Sequence, residues 1–98
     1  MNYQVEISKR AEENLDKIAK YLEQNFSNSV KMDFLIKISE HLQLLEIMPY
    51  MNRKSAKQED IRECIVNKQT IMFYRITDNI VEIITIQNSR MNLDDLKF

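Results

Sequence analysis

A chain of 98 residues with no glycine lacks the one residue that enters positive φ without steric cost. This limits both its turns and its possible chemistry. Gly-built phosphate cradles need close backbone approach or positive φ. A Walker loop, a dinucleotide-binding GxGxxG turn, a kinase lid and a GxSxG nucleophile elbow are therefore all absent. An EF-hand, which requires Gly at its sixth loop position, is absent too. Nine asparagines are expected to do the turn work, since Asn is the next most tolerant of the left-handed region.

The length allows one domain, residues 1–98, and a chain of this size can bury a single core. With 44% hydrophobic and 30% charged residues, it reads as a folded globule and not a disordered segment. The net charge of −1 and the pI near 5.8 give a poor electrostatic footprint for gripping bare nucleic acid.

One Cys (Cys64) and one His (His41) cannot build a structural zinc site or an intrachain disulfide. As a nucleophile–base pair they are weak candidates. Cys64 lies in an apolar stretch and reads as core filler, and His41 reads as an exposed helix-face residue. No metal or cofactor is expected. No segment approaches 18 consecutive apolar residues, and Met1 to Glu6 shows no basic-then-apolar signal pattern. The expected location is cytoplasmic, with no membrane partner.

The only proline, Pro49, divides a helical half from a β half. Tyr3, Val5 and Ile7 alternate with polar residues, which predicts a half-buried strand. Ser8 can stop it and cap a helix. Ala11, Leu15, Ile18, Leu22 and Phe26 form one amphipathic stripe. After a turn at 25–29, Ser27 or Ser29 starts a second helix with Val30, Phe34, Leu35, Ile38, Leu42 and Leu45 facing inward. Pro49 ends it, because the residue before a proline is pushed out of the α region. Residues 50–60 are polar and unpatterned, hence a surface loop. Strands are expected at 61–66, 70–77 and 80–86, with a turn at 67–69 and a tight hairpin at Asp78-Asn79. Leu93 and Leu96 are possible anchors for the tail. The fold class is α+β: an N-terminal strand, an antiparallel helical hairpin and three antiparallel strands (β-α-α-β-β-β). An antiparallel sheet of about four strands is expected to cover the hairpin on one face.

Charge is unevenly spread. Within 50–75, Arg53, Lys54, Lys57, Arg62, Lys68 and Arg75 stand against Glu59, Asp60 and Glu63, which is 6 − 3 = +3. Either this is an ordinary solvated face, or the sheet end meets an anionic partner. Arg75 or Arg90 could equally pair with Glu63 or Glu82 across the sheet. Six methionines (Met1, Met32, Met48, Met51, Met72 and Met91) suit an adaptable surface, with Met32 and Met72 expected in the core.

The element order resembles the RelE/ParE toxin superfamily of bacterial type II toxin–antitoxin systems. So do the strings Ile61-Arg62, Phe73-Tyr74-Arg75-Ile76-Thr77-Asp78, Ile80-Val81-Glu82-Ile83-Ile84 and Asn88-Ser89-Arg90-Met91-Asn92. The stretch from Val5 to Leu22 and the proline closing the second helix are also similar. The resemblance covers essentially the whole chain and is nearest to the ParE-like branch, through Tyr74-Arg75 and the Arg90-Met91-Asn92 ending. It implies a growth-arresting, plasmid-stabilising toxin that binds DNA gyrase and is held by a cognate antitoxin in a hetero-oligomer. Such an antitoxin folds a disordered segment into a groove between hairpin and sheet. The RelE-like branch would instead imply an endoribonuclease acting on mRNA in the ribosome. Its chemistry needs cations on the developing phosphorane charge and a general acid and base. Arg62, Arg90, Lys54 and Lys57 would then be the candidate catalytic residues. Against that branch, Ile71 stands where it carries Arg, and no Tyr or His stands at the terminal position near Leu96. A third alternative is a non-toxic remnant that keeps only its antitoxin. The resemblance marks Arg62, Tyr74, Arg75 and Arg90 as candidates for target or antitoxin contact.

Overall fold

The computed structural model describes residues 2–91, so the expected tail anchors Leu93 and Leu96 lie outside the described residues. The elements are β1 (Gln4–Ile7), α1 (Lys9–Asn25), α2 (Asn28–Ile47), β2 (Ile61–Ile65), β3 (Thr70–Thr77) and β4 (Ile80–Asn88). Their order is the expected β-α-α-β-β-β. Among the described residues no helix is long and apolar enough to cross a membrane.

Both helices begin on a serine. The Ser8 hydroxyl accepts from the Ala11 N–H at 3.0 Å, and that of Ser27 from the Val30 N–H at 3.1 Å, each satisfying a donor orphaned at the helix start. Ser27, not Ser29, is thus the second cap. The inward stripe of α1 holds Ala11, Ile18 and Leu22, all buried; that of α2 holds Phe34, Ile38 and Leu45. Two residues expected on these stripes lie outside them. Phe26 is the residue that ends α1, and Val30 lies in the first turn of α2. Both are exposed, Phe26 at the turn between the helices and Val30 just after it.

The sheet order is β1-β4-β3-β2. β2, β3 and β4 pair antiparallel as short hairpins require. The expected all-antiparallel sheet fails at one edge: β1 runs parallel to β4, with Val5 beside Val81 and Ile7 beside Ile83. The physical reason is connectivity. β1 reaches the sheet through the helical hairpin, a crossover long enough to deliver it in the same direction as β4, which no tight turn could do. Met72, Tyr74, Val81, Ile83 and Ile86 face the helices and complete the core with Cys64.

The β3–β4 ladder slips between Phe73 and Tyr74: Phe73 faces Thr85 and Tyr74 faces Ile83, leaving Ile84 as the extra residue of a bulge. The orphaned backbone groups find partners on the first turns of α1. The Ser8 hydroxyl donates to the Ile84 carbonyl at 2.8 Å. The Asn14 carboxamide oxygen accepts from the Ile86 N–H at 3.2 Å and from the Thr85 hydroxyl at 2.8 Å. Ser8 therefore has two duties, as cap and as bulge clamp. Ser8→Ala is expected to lower stability by about 2 kcal/mol, the upper end for loss of a cap. A denaturant midpoint unchanged from the parent would refute the double role.

Among the described residues the one non-glycine positive φ is at Asp78, 55°, in the β3–β4 hairpin. The asparagines were expected to supply such backbone. They work through their side chains instead: Asn67 Oδ1 accepts from the N–H groups of Gln69 and Thr70, both at 2.9 Å, and Asn88 Oδ1 from that of Arg90 at 2.9 Å.

Candidate functional site

The basic end of the molecule is built around the segment that leaves α2. Residues 50–60 were expected to be an unpatterned surface loop, but part of it is a strand-like edge. Lys54 bridges antiparallel to Arg62. The Ser55 N–H donates to the Ile61 carbonyl at 2.6 Å and the Glu63 N–H to the Arg53 carbonyl at 3.0 Å. The start of the segment is held by two side chains from the sheet. The Tyr74 hydroxyl donates to the Pro49 carbonyl at 2.6 Å and accepts from Asn52 Nδ2 at 3.1 Å. An Arg62 guanidinium N–H donates to the Asn52 carbonyl at 2.6 Å and reaches that of Tyr50 at 3.4 Å, while the group lies 5.0 Å from the Tyr50 ring centre.

These contacts assign roles to the candidates. Tyr74 is fully buried, and burial raises its hydroxyl pKa above the ordinary value. It anchors the loop and presents nothing to a partner. Arg62 spends its donors on backbone carbonyls, holding the loop against the sheet. Arg75 pairs through Nε with Asp60 at 3.0 Å. The Gln58 amide donating at 2.9 Å, joined by Arg75, holds the Asp60 carboxyl below its ordinary pKa. The cross-sheet pairing of Arg75 or Arg90 with Glu63 or Glu82 does not form. Arg53 takes Glu63 at 3.3 Å, and Arg90 lies 5.3 Å over the Phe26 ring at the far end. Lys54, Lys57 and Lys68 have no ion-pair partner among the described residues.

The sheet register separates the two arginines that a ribonuclease would need together. Arg62 stands opposite Tyr74, and Asn88, two residues before Arg90, stands opposite Thr70. Four residues along β3 at about 3.3 Å each put roughly 13 Å between these rungs. Arg90 then turns toward the hairpin tip, where a cavity of about 270 Å³ is lined by Leu22, Phe34, Lys37, Thr70 and Asn88 among others.

Cys64 is 1% exposed, and burial pushes its thiol up to about 11 from 9.0. It is core filler, as expected. Its alkylation by iodoacetamide at pH 8 should run at least about 100-fold slower in the folded chain than in denaturant, following the two-unit difference in thiolate availability. Equal rates would contradict the burial. His41 is half-buried, not exposed, and its Nδ1 sits 2.8 Å from the Lys37 carbonyl. Met72 is core. Met32, expected beside it, is 45% exposed.

That exposure belongs to a larger feature. Ile36, Leu44, Ile47, Met48 and Met51 are also exposed, so the outer side of α2 and the turn after it carry a largely apolar exposed surface. A helix that is apolar on both sides needs cover on both. The expected single inward stripe from Val30 to Leu45 leaves out Met32, Ile36, Leu44 and Ile47, whose spacing is broken on this side by the polar Glu40 and Gln43.

A family model described as the ParE toxin of type II toxin–antitoxin system, parDE, matches residues 5–93. The chain belongs to the ParE toxin family. It is a type II toxin–antitoxin toxin of the wider RelE/ParE superfamily. Solved structures share the fold of this toxin at low identity. A chain of the chromosomal ParDE system from P. aeruginosa has a TM-score of 0.76 at 12% identity, covering 88% of this toxin and 95% of that chain. The RelBE2 toxin–antitoxin complex from Mycobacterium tuberculosis has 0.64 at 15%, covering 90% and 99%. The YoeB dimer from Staphylococcus aureus has 0.59 at 18%, covering 89% and 97%. No curated protein has a detectably similar sequence.

Proposed function

We propose that this toxin arrests growth in the cytoplasm by binding DNA gyrase, without bond chemistry of its own, and that a cognate antitoxin neutralises it in a hetero-oligomer. The observation that carries the reading is the separation of Arg62 from Arg90 across the sheet. Phosphodiester cleavage needs cations and an acid–base pair converging on one phosphate. Here Arg62 is committed to backbone carbonyls, Tyr74 is buried, and Arg90 points to the opposite end. The net charge of −1 also suits a protein target better than ribosomal RNA.

The antitoxin reading is supported by the apolar outer side of α2, an exposed surface of the kind that marks a protein interface. Two of the structural relatives come from a ParDE system and from a RelBE2 toxin–antitoxin complex.

The test adds purified toxin to a bacterial cell-free system translating premade mRNA, and in parallel to a gyrase supercoiling assay. The expected result is intact transcripts and undisturbed translation, with supercoiling inhibited and the inhibition relieved by antitoxin. Ribosome-dependent, codon-phased cleavage would replace this reading with the endoribonuclease. No effect in either assay from a toxin that still binds antitoxin would leave the non-toxic remnant.

A further inference from the structure

The cavity at the hairpin tip is bordered by three charges that the chain leaves uncommitted. It measures about 270 Å³ and lies between the end of α1, the first turns of α2, the β2–β3 turn and the end of β4. Asp33 and Lys37 line it from α2, and Arg90 lines it from just beyond β4. All three are exposed, and none takes part in an ion pair among the described residues. The neighbouring Lys31 and Glu23, by contrast, pair with each other. Asp33 and Lys37 stand four residues apart, the spacing at which a helix commonly joins opposite charges, and here they are not joined.

The rest of the lining holds these charges in place. The Arg90 N–H donates to Asn88 Oδ1 at 2.9 Å, and its guanidinium lies 5.3 Å from the centre of the Phe26 ring. Stacking of this kind positions a cation without consuming its hydrogen-bond donors. The polar wall is braced within the chain. Asn88 Nδ2 donates to the Thr70 hydroxyl at 3.1 Å, and Asn67 Oδ1 accepts from the Thr70 N–H at 2.9 Å. The buried Leu22 and Phe34 supply the apolar part of the lining.

We infer that this cavity binds an apolar α-amino acid, its carboxylate between Lys37 and Arg90, its ammonium on Asp33 and its side chain against Leu22 and Phe34. Two cations and one carboxylate around a single cavity match a ligand that carries both signs. A guanidinium offers a carboxylate two parallel donors, and the ligand bridges the Asp33–Lys37 pair that the helix leaves open. The volume falls just below the roughly 300–1,000 Å³ of pockets for drug-sized ligands, which suits a single amino acid. A nucleotide is a poorer occupant, being larger and bringing a phosphate dianion beside Asp33. The site is independent of the gyrase and antitoxin readings.

The test follows the backbone amide spectrum of the purified toxin during titration with L-leucine. The amides of Asn67, Gln69, Thr70 and Asn88 should shift and saturate with a Kd of about 1 mM, the range for a ligand of about nine non-hydrogen atoms. 4-Methylpentanoate lacks the ammonium and 3-methylbutylamine lacks the carboxylate. Each should bind about fivefold more weakly, the upper range for loss of a solvent-exposed ion pair. Asp33→Asn should weaken leucine by a similar factor and tighten 4-methylpentanoate, because it removes a like charge from beside the carboxylate. Lys37→Gln should weaken both. These side chains are exposed and unpaired, so both variants should keep the parental thermal midpoint. Shifts that stay linear up to the solubility limit of leucine overturn the inference. Equal binding of leucine and 4-methylpentanoate, or leucine affinity unchanged in Asp33→Asn, reduces the cavity to a plain anion site and overturns it as well.

Discussion

Tyr74→Ala is expected to cost the domain about 4 kcal/mol, the range for truncating a buried aromatic side chain, and to release the segment from Pro49 to Lys54. The side chain is fully buried on the central strand β3, and its hydroxyl holds the Pro49 carbonyl at 2.6 Å while receiving Asn52. Tyr74→Phe separates the two contributions. It keeps the ring and leaves the Pro49 carbonyl and the Asn52 amide without their partner, a cost of about 1–2 kcal/mol. Trypsin reports on the loop, because Arg53 and Lys54 lie in the released segment. Cleavage there should be faster in both variants than in the parent. A Tyr74→Ala protein with parental denaturant midpoint and parental cleavage would remove the anchor from the account.

The second large effect is expected at Asn14. Its carboxamide oxygen is the acceptor for both the Thr85 hydroxyl and the Ile86 N–H at the bulge, and the residue is 1% exposed. Asn14→Ala leaves two buried donors unmatched and a small cavity, together about 3 kcal/mol. That is a large share of the roughly 5–15 kcal/mol that stabilises a domain. Asn14→Leu fills the volume without restoring the acceptor and should remain destabilised by about 2 kcal/mol or more. A leucine variant as stable as the parent would mean that Asn14 acts by volume alone. The other end of the carboxamide supports the acceptor role. Nδ2 is buried without a partner among the described residues, so the hydrogen bonds found for the carboxamide are those of its oxygen.

Asn14 also shows where sequence reading stops. An asparagine at an inward position of a helix resembles a turn former that happens to lie on a stripe, and nothing nearby in the chain announces its partners. Those partners are about seventy residues away. The same holds for Arg62 and Arg90. As sequence they are two cations on strands and equally fit a catalytic cluster. The register alone puts them on different rungs, and the backbone carbonyls of Tyr50 and Asn52 take up one of them. Tyr74 and Arg75 were adjacent candidates for contact. One became the loop anchor and the other a partner of Asp60, because strand alternation sends neighbouring side chains to opposite faces.

What the sequence determined by itself is the set of local decisions. A cap at Ser8, a second at Ser27 or Ser29, two apolar stripes, the stop at Pro49 and the β-branched and aromatic run from Thr70 to Thr77 follow from helix periodicity, strand propensity and the terminal chemistry of helices, all of which act within a few residues. The β-α-α-β-β-β order was legible on that basis; membership of the ParE toxin family was legible only as a resemblance, carried by that order together with strings such as Phe73-Tyr74-Arg75 and Asn88-Ser89-Arg90. The tertiary structure decided what depends on residues far apart in the chain: the parallel docking of β1 against β4, the slip at Ile84 and its clamp, and the split of the arginines. These are pairings between segments, fixed by which surfaces can be buried together and which backbone groups must find partners. No local pattern encodes them.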